Sequence, residues 1–154
     1  MKACVVFCTI RHTKSFESYA ANFKRFGHCP DVIIVDETGD TRDLISQAFN
    51  GFPLEFYGAK ERADWFEDND VSSLTVPPKT TDVVGFALLI AYPRNYDYIV
   101  IVDDDTYPLT DEDFLAEHYY NLTKREMNVV SSMDGWINPH PENYPRGYPY
   151  SYRH

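Results

Sequence analysis

YDYIVIV, residues 96–102, is the most strongly strand-like run in the chain, and it stops abruptly at three consecutive acids, Asp103, Asp104 and Asp105. Its β-branched and aromatic side chains suit a buried strand, the setting of a parallel sheet between helices. Upstream, Pro93 ends the preceding segment. That segment, residues 79–92, places Val83, Val84, Phe86, Ala87, Leu88, Ile90 and Ala91 on a wide apolar face, which predicts a largely buried helix with Pro77 and Pro78 marking its start. Downstream, Thr110 with Asp113 three residues on is a capping-box-like start for a helix over about residues 111–122. NVVSS, residues 128–132, resembles another strand.

The same alternation runs back to the N-terminus. ACVVFC (3–8) reads as a buried strand, followed by Phe16, Tyr19, Ala20, Phe23 and Phe26 at helical spacing. DVIIVD (31–36) is a second strand ending in an acid, after which Asp40 can cap a short helix carrying Leu44, Ile45, Ala48 and Phe49. LEFY (54–57) is a third strand and residues 59–67 a further helix, while DWFEDND (64–70) has too little periodicity to place and reads as a solvated loop. Strands alternating with helices imply an α/β, Rossmann-like fold: a mainly parallel sheet with helices on both faces. At 154 residues the chain has the length of a single domain. The tail from Pro139 breaks the rhythm with four prolines, which exclude a regular helix there.

Charge narrows the function classes. Lys plus Arg number 14 against 24 Asp plus Glu, a net charge of −10, which repels nucleic-acid backbones and anionic lipid. No apolar stretch approaches the roughly 20 residues of a membrane span, and MKACVVFCTIRH reads as a first strand, not a leader. A cytoplasmic protein is the expectation. Cys4, Cys8 and Cys29 show no Cys-x-x-Cys spacing and read as buried free thiols. His12, His28, His118, His140 and His154 have no ligand-like spacing.

In an open parallel sheet, ligands bind at the carboxyl ends of the strands, where Asp103 to Asp105 would sit. Alternation puts Asp103 and Asp105 on one face and Asp104 on the other. The outer pair could share one hard divalent cation, Mn2+ or Mg2+, while Asp104 meets solvent or a sugar hydroxyl. Aspartates also cap helices and fill turns after strands, so the triplet has that plainer reading too. In RGYPYSYR, Arg146 and Arg153 stand seven apart among aromatic residues. Arginine forks match phosphates well, so one or both could face a diphosphate; alternatively they pair with surface carboxylates while the tyrosines pack a sheet edge.

Thr9 to Arg11 (TIR) after the first strand, Asp36 ending the second, Lys79 opening the buried helix, VDDD at 102–105 and RGYPYSYR at 146–153 occur in the same order in the reversibly glycosylated polypeptides, or UDP-arabinopyranose mutases, which the chain resembles. The paired-arginine octapeptide is the more specific motif. The resemblance implies a GT-A-like domain that binds a UDP-sugar with Mn2+ (or Mg2+) and interconverts pyranose and furanose forms of a UDP-pentose. It implies that Arg146 is the reversibly glycosylated position, that Arg153 is also needed for activity, and that Asp103 and Asp105 hold the metal and diphosphate. It places Thr9, Arg11 and Asp36 near the uridine, with Lys79 and Asp104 also among the positions about the nucleotide sugar.

The chain departs from the pattern at Thr106, where relatives often have Cys, and in the longer acidic turn DETGD at 36–40. The resemblance covers nearly all of this chain but about the first half of a family member, so the family's C-terminal half is expected to be lacking. Arg146 is either a covalent nucleophile, which needs a carboxylate's assistance because guanidinium stays protonated, or a purely electrostatic clamp on the departing diphosphate. Two further functions fit the same motifs: a GT-A glycosyltransferase acting on an external acceptor, and a non-catalytic UDP-sugar-binding subunit of a homo- or hetero-oligomer. A phosphatase-like or receiver-like site fits less well, because Cys8 and Thr9 stand where its acceptor Asp would follow the first strand.

Overall fold

The computed structural model describes residues 2–123 except 12, 40 and 81. They contain β1 (Ala3–Thr9), α1 (Ser15–Arg25), β2 (Asp31–Asp36), α2 (Arg42–Ala48), β3 (Leu54–Tyr57), α3 (Ala59–Asp68), α4 (Val83–Ala91), β4 (Tyr98–Asp103) and α5 (Phe114–Thr123). The four strands form an all-parallel sheet in the order β3-β2-β1-β4. It is the α/β, Rossmann-like arrangement that the alternating pattern implies. The expected strand at 128–132, the proline-rich tail, Arg146 and Arg153 lie outside the described residues.

Strand alternation divides the core in two. On one face Val5, Phe7, Ile34 and Val102 pack beneath α1 and α2, with Leu115 of α5 closing the same cluster. On the other, Cys4, Val6, Ile33 and Val35 meet Phe66 of α3 and Phe86, Ala87 and Ile90 of α4. Cys4 is buried, and Cys8, on the same face, packs against this second cluster. Burial is the leading cause that pushes both thiols up to about 12. Cys29, expected in the interior, is exposed, because it falls in the turn between α1 and β2 and not in a strand.

Several boundaries differ from the sequence reading. The helix expected from residue 79 begins at Val83. Lys79 is in the left-handed region at φ 58°, and Thr80 Oγ1 donates to Pro77 O at 2.9 Å, so a turn occupies the first four positions. α3 runs through to Asp68, absorbing most of the stretch read as a loop. Its Trp65 and Phe66 rings lie 5.3 Å from that of Phe86, and this packing overrides weak periodicity. At α5 the cap is Asp113, whose Oδ1 accepts from Ala116 N at 3.0 Å, so the helix starts later than Thr110 suggests. No helix among the described residues is long and apolar enough to cross a membrane.

Candidate functional site

The strand order dictates where a site can form. From β1 the chain moves outward to β2 and β3 with α1 and α2 on one face, then crosses back to β4 with α3 and α4 on the other. Strand order therefore reverses between β1 and β4, and in an open parallel sheet such a reversal is where a ligand crevice forms at the carboxyl ends. Cys8 is in register with Asp103 there.

Asp104 is the organising residue of that crevice. Its Oδ2 accepts from Thr9 Oγ1 at 2.9 Å and from Ile10 N at 3.1 Å, and its Oδ1 is 3.4 Å from Arg11 Nε. The Asp104 carbonyl accepts from Thr13 Oγ1 at 2.6 Å and Ser15 Oγ at 2.8 Å. Asp104 is only 6% exposed, which corrects the expectation that it meets solvent. By alternation it follows Val102 onto the face covered by the turn between β1 and α1, and that turn supplies its partners. Asp103 and Asp105 are both exposed.

At the end of β2, Asp36 is fully buried. Oδ1 accepts from Thr38 N (2.8 Å) and Thr38 Oγ1 (2.7 Å), and Oδ2 from Gly39 N (3.2 Å) and Thr41 Oγ1 (2.8 Å). Gly39, at φ 89°, lets the backbone curl around the carboxylate. Asp36 therefore stands in register with Thr9, but its oxygens serve the turn that leads into α2. Burial pushes its carboxyl upward, yet the hydrogen bonds outweigh burial and hold it below the ordinary carboxylate range. A depressed folded value means that stability is fully present above the unfolded value of about 3.9 and is lost as pH falls through the folded one. Asp36→Ala is expected to cost about 1–3 kcal/mol at pH 7, with the gap to wild type closing in acid. Urea denaturation at pH 7, 5, 4 and 3 checks this; a gap that stays constant through pH 3 would refute the assignment.

Beside Asp36 lies a pair that the sequence reading did not single out. Glu37 N donates to Thr9 O at 2.9 Å. The Glu37 side chain forms an ion pair with Arg62 of α3, the two being 6% and 7% exposed, and its Oε2 accepts from Lys79 N at 2.7 Å. Glu37 thus ties the end of β1, through its main-chain N–H, to α3 and the turn before α4, through its carboxylate. Among the described residues, buried Arg62 Nε has no hydrogen-bond partner. Lys79 itself is exposed and enters the arrangement through its main chain. No spacing rule points to Glu37 or Arg62, because their pairing exists only once α3 packs on the sheet.

Thr9, Arg11 and Asp104 are in direct contact, Asp36 stands beside Thr9, and Lys79 is linked to Thr9 through Glu37. Among the described residues no group of three or more His, Cys, Asp or Glu side chains is placed to hold a metal. Asp103 and Asp105 nonetheless fit a hard cation by donor chemistry. Mg2+ and similar ions commonly take one or two protein carboxylates and complete their shell with water and phosphate oxygens. No protein-family model matches the chain, and no curated protein matches it.

Proposed function

We propose that the chain binds a UDP-sugar across the carboxyl ends of β1 and β4 and acts as a UDP-sugar mutase of the UDP-arabinopyranose type, in the cytoplasm. The observation that carries this reading is the placement of Asp103 and Asp105, exposed at the switch point of a parallel sheet, beside the Thr9 to Arg11 turn. The order of motifs shared with the mutases, ending in Arg146 and Arg153, supplies the reaction class.

The chemistry is an isomerisation and needs no oxidant. The bond between the anomeric carbon and phosphate oxygen breaks with its electron pair going to UDP, the sugar exchanges one ring oxygen for another, and the bond to UDP forms again. Asp103 and Asp105 would hold Mn2+ or Mg2+, which when bound stabilises the diphosphate's charge as a Lewis acid. Arg11, 53% exposed at its side chain, supplies a cation at the same rim. Arg146 and Arg153 are assigned to the reaction by the resemblance alone. Ordered donors that face developing charge cost little reorganisation in the transition state.

Chromatography of UDP-arabinopyranose after incubation with the protein, with and without Mn2+, tests the reading. The furanose form is expected with the metal, and Asp105→Ala is expected to lower the rate by at least about tenfold. Release of UDP only on adding an acceptor would replace the mutase with a transferase. Binding of UDP without any conversion would leave a non-catalytic subunit, and absence of binding would remove the proposal altogether.

A further inference from the structure

Two hydrogen-bond donors and a guanidinium from the turn after β1 face one carboxylate at the end of β4. Thr9 Oγ1 and Ile10 N–H reach Asp104 Oδ2 at 2.9 and 3.1 Å, and Arg11 Nε is 3.4 Å from Oδ1. A hydroxyl, a main-chain N–H and a guanidinium are the donor types that hold phosphate oxygens. Their position, at the switch point of a parallel sheet, is where α/β folds take ligands. We infer that this turn is an anion seat for a phosphate or diphosphate group, filled by the Asp104 carboxylate until an incoming phosphate displaces it. The identity of the ligand as a nucleotide sugar rests on the proposed function; the seat itself does not.

Two features make exchange feasible. The Asp104 main chain is held independently of its side chain, because its carbonyl accepts from the Thr13 and Ser15 hydroxyls. Rotation of the carboxylate out of the seat leaves those bonds in place. The rim is also open: Ile10 is 65% exposed and the Arg11 side chain 53% exposed, while Thr9 and Asp104 beneath them are buried. An anion approaching from the carboxyl end of the sheet meets Arg11 first and then competes for donors that already face a negative group.

Such competition predicts that removing the internal anion creates affinity for an external one. Inorganic pyrophosphate, in EDTA and without nucleoside or sugar, is titrated calorimetrically into wild type, Asp104→Ala and Asp104→Asn. Asp104→Ala vacates the seat and is expected to bind pyrophosphate at least about tenfold more tightly than wild type, a difference of about 1.4 kcal/mol. The Ile10 amide resonance should move during that titration, and adding Thr9→Val should reduce the gain. Asp104→Asn fills the seat with a neutral group that keeps contacts to Thr9 and Ile10, so a smaller gain is expected.

A folded Asp104→Ala protein that binds pyrophosphate no more tightly than wild type overturns the inference. If that variant does not fold, equal binding by Asp104→Asn and wild type overturns it instead. Pyrophosphate binding gained by the variants with no affinity for UDP in wild type would keep the seat and remove the proposed function. UDP-sugar conversion with no such gain would do the reverse.

Discussion

Arg62→Met is expected to destabilise the protein by about 3–5 kcal/mol, because it leaves the Glu37 carboxylate buried without its cation. Both partners are almost wholly removed from water, and the remaining donor to Glu37 is the Lys79 main-chain N–H. The loss should be specific to the broken pair. Replacing both residues, Arg62→Met with Glu37→Leu, removes the uncompensated charge and is expected to recover a large part of the deficit. Urea denaturation of the two single variants and the double variant measures the coupling, with unchanged slopes confirming that the same surface unfolds in each. A single variant within about 1 kcal/mol of wild type would show that the pair behaves as a solvated surface bridge.

Phe7→Ala is expected to have an effect of similar size, through packing instead of charge. Phe7 is fully buried at the centre of the first core cluster. Its ring meets those of Phe16 and Tyr19 edge-on at centroid distances of 5.4 and 5.2 Å and tilts against Phe49 at 5.6 Å. Truncation removes the buried area and leaves a cavity walled by three rings carried on α1 and the end of α2, for a cost of about 3–5 kcal/mol. The midpoint of thermal unfolding should fall by on the order of 10 °C. Phe7→Leu, which refills part of the volume, should lose less than half as much. If Phe7→Ala melts within a few degrees of wild type, the cluster is not the interior that its burial indicates.

The sheet was legible because its strands advertise themselves as apolar runs; VVF in β1 and VIIV in β2, buried on both faces, and IVIV in β4, where Ile101 is 44% exposed, needed no partner to be recognised. The helix boundaries were less so. Lys79 to Asp82 has the composition of a first helical turn, but Glu37, far along the chain, captures the Lys79 N–H and holds the residue left-handed. Trp65 and Phe66 lack an amphipathic repeat and become helical by stacking on Phe86. The acidic triplet was legible as a position but not as an arrangement. Alternation separated Asp104 from its neighbours correctly, yet only the fold shows that its side of the sheet is roofed by the Thr9 to Ser15 turn. Arg62 was illegible because nothing local distinguishes a surface arginine from one that a sheet will cover.

Strand order also fixes what the far ends of the chain must do. Val5 pairs with Val32 on one side and with Val100 on the other, and bringing the more distant partner home costs only about 1 kcal/mol more in loop entropy. The distance is cheap in equilibrium, but no piece of the chain that stops before β4 contains both halves of the Thr9 to Asp104 bond. A chain halted after β3 could hold three strands together and still lack the Asp104 side of the crevice, so any grip exerted there arises only once β4 has docked.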